Sequence, residues 1–278
     1  MFLTDRKLER RIAELKEHRY RDIINLNEFT VQEDTQGVVN PVLPEVFTGW
    51  DTLRVGDTWK GRDLFLWMHR EIQVPAEWKG KKIVGVFDFG NTAGFESMLY
   101  LNGKMYQGVD ANHKEVFFDD TFCGTNMDVT FRLWSGLEGG GVPTPQEHRI
   151  ARADLAWLDE EVDDFYYLAS MVWETIKELD EFNPVQHDLR KALDTACHCI
   201  DWAYPGSDTF YESVHEADHL LNESIDSMDK KSSVNIRCVG HTHIDVAWLW
   251  RLKHTREKCS RSFTTVLRLM EQYPEYVF

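Results

Sequence analysis

The sequence predicts a multi-domain α+β protein with an antiparallel β-sandwich, a helical connector and the start of a third unit of βα type. Three observations predict it. Short aromatic and β-branched runs, punctuated by Gly, Asn, Asp and Pro turns, fill the stretch from residue 46 to about 134. An acidic stretch with apolar residues at helical spacing follows. Near the end, a short apolar run leads through HTHID into a long helical pattern. At 278 residues the chain exceeds the usual single domain, so several units are expected.

In chain order, residues 1–45 form an N-terminal helix and an extended segment. Leu8, Ile12 and Leu15 lie at helical spacing over 4–20, with Thr4 as N-cap. Residues 46–145 form the sandwich: DLFLWMHREIQV, KKIVGVFDFG, SMLYLNGKMYQGV and MDVTFRLW read as strands with no helix between them. Asn102-Gly103 suits a type I′ turn and marks the clearest hairpin. SGLEGGGVPTP, residues 135–145, is a Gly/Pro linker and the predicted boundary. Its glycines lack the Lys-Ser/Thr and the strand–turn–helix frame of a phosphate loop.

Residues 146–232 form the helical connector. Leu155, Leu158, Val162, Phe165, Leu168, Val172 and Ile176 make one broad apolar face, and further helices follow breaks at Asn183-Pro184 and Tyr204-Pro205-Gly206. The carboxylates Asp159, Glu160, Glu161, Asp163 and Asp164 read as a solvated helix face rather than an acid–base cluster. His198 between Cys197 and Cys199 cannot gather both neighbours around one ion on a helix. His215 and His219, four apart, lack the Glu of a zincin helix, and packing or solvent exposure accounts for them. Residues 233–278 then read as strand (234–240), site, helix with Leu252, Phe263, Val266, Leu267 and Met270, and a second strand beginning after Pro274. A lone unit of that kind cannot form a closed sheet, so the chain looks cut early in this domain.

Composition narrows the function. The formal net charge of −16 argues against nucleic acid and anionic membrane as partners. Five scattered cysteines without a CxxC pair form neither a disulfide framework nor a zinc ribbon. The N-terminal helix has no signal-peptide apolar core and no apolar run reaches about 18 residues, so a cytoplasmic location is expected. Ten tryptophans suit either a packed sandwich or stacking on sugar rings.

The chemistry concentrates in GHTHIDVAWLWR. His241, His243 and Asp245 recur at every second position, so on a strand they share one face, about 7 Å apart. At the C-terminal edge of a strand that leads into a helix, imidazoles and a carboxylate suit a catalytic Zn²⁺. Gly240 permits close backbone approach, and Trp248 stands where an apolar ligand face could lie. The alternative is a set of hydrogen-bonded polar residues at a strand end.

This stretch resembles the first metal-binding motif of glycoside hydrolase family 38, the zinc-dependent α-mannosidases, in the wording of their cytosolic and bacterial branch. The order of helix, sandwich and helical connector is also similar to theirs, and it implies that residues 233–278 open a truncated catalytic α/β barrel. The resemblance implies His243 and Asp245 as zinc ligands, leaves the role of His241 open, and implies Trp248 as a wall of the sugar subsite. It further implies retaining hydrolysis of terminal α-mannosides in mannose-containing oligosaccharides, through a carboxylate nucleophile and an acid/base residue. The family's nucleophile, acid/base and last zinc histidine lie further along than Phe278. The catalytic residues are therefore expected outside this chain, with weak or absent zinc binding and no activity from the chain alone. Two alternatives are an amidohydrolase-type metal hydrolase using His241 and His243, and a carbohydrate-binding module built on the sandwich. Apolar surface left exposed on 234–278 implies self-association into a homo-oligomer.

Overall fold

A computed structural model describes residues 2–90, 95–229 and 234–278. The chain divides into two compact units. The first comprises Met1–Asp22 and Trp157–Asn235, the second Ile23–Ala156 and Ile236–Phe278.

The first unit is helical: α1 (Phe2–His18), α2 (Glu160–Glu178), α3 (Pro184–Cys199) and α4 (Asp208–Asp226). Leu8, Ile12 and Leu15 of α1 join Phe165, Val172, Leu193, Phe210 and Leu221 in one core. Thr4 lies inside α1, so the helix starts earlier than a cap there would allow. Each later helix begins at a side-chain cap that satisfies an orphan amide. Asp159 accepts from Val162 N, Asn183 from Val185 N with Pro184 inside the first turn, and Ser207 from Phe210 N.

The second unit is built on β1 (Tyr20–Asn25), β2 (Glu28–Glu33), β3 (Asp51–Arg54), β4 (Thr58–Gly61), β5 (Phe65–Gln73), β6 (Lys82–Asp88), β7 (Glu96–Leu101), β8 (Lys104–Asp110), β9 (Glu115–Phe118), β10 (Asn126–Trp134), β11 (Gln146–Arg149) and β12 (Arg152–Leu158). The division between the units falls inside β1 and β12. A six-stranded sheet runs β3-β2-β5-β10-β7-β8, a four-stranded sheet runs β1-β12-β6-β9, and β11 pairs with β4. The predicted hairpin forms: Leu101 pairs with Lys104, and Asn102 (φ 48°) and Gly103 (φ 77°) both take the positive φ of a type I′ turn.

Phe29 and Phe131 of the six-stranded sheet meet Phe87 of β6 and the adjoining Phe89 in edge-on contacts, with ring centroids 4.8 to 5.9 Å apart. The pleat of β10 shows how this sandwich is used. Met127, Val129, Phe131 and Leu133 point inward, while Thr130, Arg132 and Trp134 point to the outer face, and all seven are buried. The outer face is covered by α5 (Leu252–Gln272).

Three further sequence expectations change here. Leu155 and Leu158 belong to β12, buried on both faces, and the helix they were assigned to begins only at Glu160. Apolar residues every three or four positions cannot distinguish a two-sided buried strand from a helix, and Asp159 is the stop between them. Residues 234–240 form no strand. Among the described residues no strand pairs with them: Gly240 N–H donates to Val277 O at 2.7 Å, and no ladder extends from that bond. Residues 135–145, read as the linker, lie within the second unit.

Candidate functional site

The anchor of the site is α5, and it docks the opposite way round from its apolar pattern. The apolar positions Leu252, Phe263, Leu267 and Met270 are exposed, whereas His254, Thr255, Glu257, Arg261 and Thr265 are buried. The sheet explains the inversion, because its outer face presents charges. Glu96 of β7 takes Lys258 and Arg261 as partners. Arg132 of β10 binds Asp34 at 2.7 Å and Glu257 at 2.5 Å, and its guanidinium lies 4.1 Å over the Phe65 ring. Gly108 N–H on β8 donates to Thr265 Oγ1 at 3.2 Å, and a Cβ at Gly108 would stand 3.0 Å from both the Arg261 Cβ and that hydroxyl. A glycine there suits so close an approach of helix to strand.

At the start of α5, Asp63 collects Trp134 Nε1–H at 3.0 Å, His254 Nε2 at 2.7 Å and the cations of Arg251 and Lys253. Burial works to raise its pKa, but the Trp134 hydrogen bond, His254 and the Lys253 cation carry it below the usual carboxylate range. Burial holds the His254 pKa down. Its Nδ1 accepts from Arg251 N at 3.0 Å while Nε2–H donates to Asp63, which is the pattern of a neutral ring. Burial raises the Glu257 pKa against the pull of Arg132 and Arg261.

This dock fixes the segment that precedes α5. His243 Nε2 lies 3.2 Å from Asp245 Oδ1, with both side chains open to solvent. His241 and His243 line a cleft of about 320 Å³ together with Trp250, Tyr276, Phe278 and, from the sandwich, Glu96, Asp110 and His113. Asp245 is not among the cleft's lining residues. Trp248 is 65 % exposed, meets Trp250 edge-on at 5.5 Å and lines a neighbouring shallow depression with Trp134 and Leu137. At Gly240 the Tyr276 hydroxyl lies where a Cβ would stand, so the tyrosine ring closes over the backbone there. Ala247 holds a left-handed backbone (φ 55°), a conformation that costs a non-glycine residue about 1 kcal/mol.

The donor types suit Zn²⁺, but their number falls short of a closed site. Among the described residues no group of three or more His, Cys, Asp and Glu side chains converges well enough to hold a metal ion. The histidines set aside in the connector are occupied otherwise. His215 binds Asp159 at 3.0 Å and Glu161 at 3.2 Å, His219 approaches Glu223, and His198 meets Asp194 and Lys7. The Cys197 thiol is pushed up to about 12 by burial, so it offers no thiolate. Sequence reasoning missed Asp110, His113 and Trp250. The first two stand over a hundred residues from the motif, and Trp250 is separated from Trp248 only by the turn that precedes α5.

Both parts of this arrangement match known families. Residues 27–131 match the alpha-mannosidase jelly roll domain, and residues 233–278 match the N-terminal domain of the family 38 glycosyl hydrolases. Over both segments the chain is similar to the N-terminal portion of family 38 α-mannosidases. Among particular relatives, it is 25 % identical to alpha-mannosidase G of Dictyostelium discoideum over 76 % of this chain and 20 % of that protein. It is 26 % identical to human alpha-mannosidase 2C1 over 81 % of this chain and 22 % of that protein. The alpha-mannosidase of Saccharomyces cerevisiae is 29 % identical over 50 % of this chain and 14 % of its own length. The chain thus spans about a fifth of the length of the first two. No helix among the described residues is long and apolar enough to cross a membrane.

Proposed function

We propose that this chain is the N-terminal part of a zinc-dependent retaining α-mannosidase acting on mannose-containing oligosaccharides, and that it is inactive by itself. The observation that carries the reading is the 3.2 Å approach of His243 to Asp245 beside a cleft lined by His241, within the segment that matches family 38. In this reading His243 and Asp245 supply two of the zinc ligands, and residues 233–278 open an α/β barrel in which 234–240 would pair as a strand only with the rest of that barrel. Zinc at this position would supply Lewis acidity toward sugar hydroxyls. The chain's own contribution is binding and orientation. Aromatic rings offer flat apolar faces to a sugar ring, and the imidazoles and hydroxyls of the cleft offer hydrogen bonds at its edge. The dock of α5 on charged strands keeps that wall rigid. No carboxylate of residues 1–278 is assigned as nucleophile or acid/base.

The test extends the chain through a complete family 38 domain and follows hydrolysis of an aryl α-mannoside. Chelation abolishes the activity, zinc restores it in the parent, and Asp245→Ala is inactive and not rescued. Full activity of Asp245→Ala would remove that residue from the metal site. Hydrolysis of amides but not mannosides would replace the reading with the amidohydrolase one.

A further inference from the structure

The cleft has a second wall, supplied by the jelly roll, and this wall carries an oriented histidine. Asp110 closes the turn between β8 and β9: its carboxylate accepts from the backbone N–H groups of Asn112 at 2.8 Å and His113 at 3.0 Å. The backbone N–H of each of Asp110 and His113 also reaches the other's carbonyl at 3.2 Å, so the turn is already closed without the imidazole. The imidazole is nonetheless held, with Nδ1 lying 3.0 and 3.2 Å from the two carboxylate oxygens of Asp110. An ionised carboxylate only accepts, so Nδ1–H is the donor and the ring's orientation is fixed. Nε2 makes no hydrogen bond among the described residues, and the His113 side chain is nearly half exposed where it lines the cleft with His241, His243 and Trp250. The other charged lining groups are committed to one another, since Glu96 is taken by Lys258 and Arg261. The Asp110 hydrogen bond holds the His113 pKa above its ordinary value.

We infer that His113, held by Asp110, hydrogen-bonds through Nε2 to a hydroxyl of the saccharide bound in this cleft, making the jelly roll a direct contributor to substrate recognition. The inference rests on the α-mannosidase reading. It differs from that reading in placing a specificity contact on the sandwich, over a hundred residues from the histidine motif. A pair that only closed a turn would have no need of an outward Nε2 beside two further histidines and an aromatic ring.

The test uses this chain, isotopically labelled at histidine, titrated with methyl α-mannoside and with α-mannobiose while imidazole signals are followed by NMR. Concentrations reach about 0.1 M, which fills a site of millimolar Kd. The rings of His113, His241 and His243 shift together, while His148 and His254, buried at 1 % and 0 % exposure, stay fixed as internal references. His113→Ala weakens binding roughly three- to tenfold, the loss of one net hydrogen bond. His113→Gln, which keeps a polar group at that reach, recovers part of it, and Asp110→Asn weakens it by freeing the ring. An affinity for His113→Ala within about twofold of the parent, with His241 and His243 still shifting, overturns this inference and leaves the saccharide reading standing. No shift of any of the three cleft rings with either sugar overturns this inference, and the α-mannosidase reading is then decided by the activity of the extended chain.

Discussion

Replacing Arg132 with Met tests the claim that charge, rather than apolar burial, seats α5. Arg132 is 5 % exposed and lies between Asp34 and Glu257, whose side chains are 7 % and 10 % exposed. It also donates to Val38 O at 3.0 Å. Met keeps most of the stem that packs on Phe65 and removes the charge, leaving two buried carboxylates facing each other. Breaking a buried ion pair by removing one partner costs about 3–5 kcal/mol, because the survivor stays desolvated. Glu257, whose pKa burial already raises, can escape part of that cost by taking up a proton, which favours the lower end of the range. For a unit of this size, such a loss lowers the unfolding midpoint by roughly 6–20 °C. Hydrogen exchange along α5 is the sharper assay, since the helix should lose protection before the strands of the inner core do. Adding Glu257→Gln to Arg132→Met should restore part of the loss, because the uncompensated charge is then gone. A midpoint within about 2 °C of the parent, with α5 still protected, would refute the reasoning and place the stability of the dock in its packing.

Three further outcomes follow from the same geometry. Gly108→Ala forces a Cβ to 3.0 Å from Arg261 Cβ and Thr265 Oγ1, so it should cost about 1–3 kcal/mol by overpacking and raise exchange in the middle of α5. Acidification should loosen the start of α5. The folded-state pKa of His254 is depressed, so its stabilising contribution is complete above the unfolded value of 6.5 and is lost as pH falls through the folded one, with Asp63 adding a loss below about 3.8. Urea midpoints between pH 7 and pH 5 should fall for the parent and flatten for His254→Gln. In the helical unit, Asp159→Ala removes the cap on Val162 N together with one partner each of Arg21 and His215. It should cost roughly 1–2 kcal/mol for the cap, with a smaller addition from the weakened hold on Arg21, which keeps Asp208, read as a lower thermal midpoint with unchanged saccharide binding.

How far the sequence spoke depends on whether a pattern was local. The Asn102-Gly103 hairpin and the Asn183-Pro184 helix start were legible because each conformation is set by two adjacent residues. β12 was not, since a strand buried on both faces carries no alternation, and its Leu155 and Leu158 fit a helical period by coincidence. The seating of α5 was not legible. Exposed apolar surface on 234–278 was expected, and Leu252, Phe263, Leu267 and Met270 are exposed, but the amphipathic pattern does not say what the polar face meets. The answer lay in strand residues distant in sequence, where Glu96, Arg132 and Gly108 share an outward pleat opposite Lys258, Arg261, Glu257 and Thr265. None of those residues reads as paired until the sheet order is known.

The same logic assigns the two faces of α5 different work. A helix that spends its polar stripe on an existing sheet keeps Leu252, Phe263, Leu267 and Met270 at the surface. The polar dock is specific because its charges are matched to partners of opposite sign and a shift of one residue would separate them. An apolar face tolerates sliding and would set no register. The register of α5 on β8 and β10 therefore fixes where His241 and His243 stand relative to His113, so the jelly roll positions the histidine segment as well as walling the cleft.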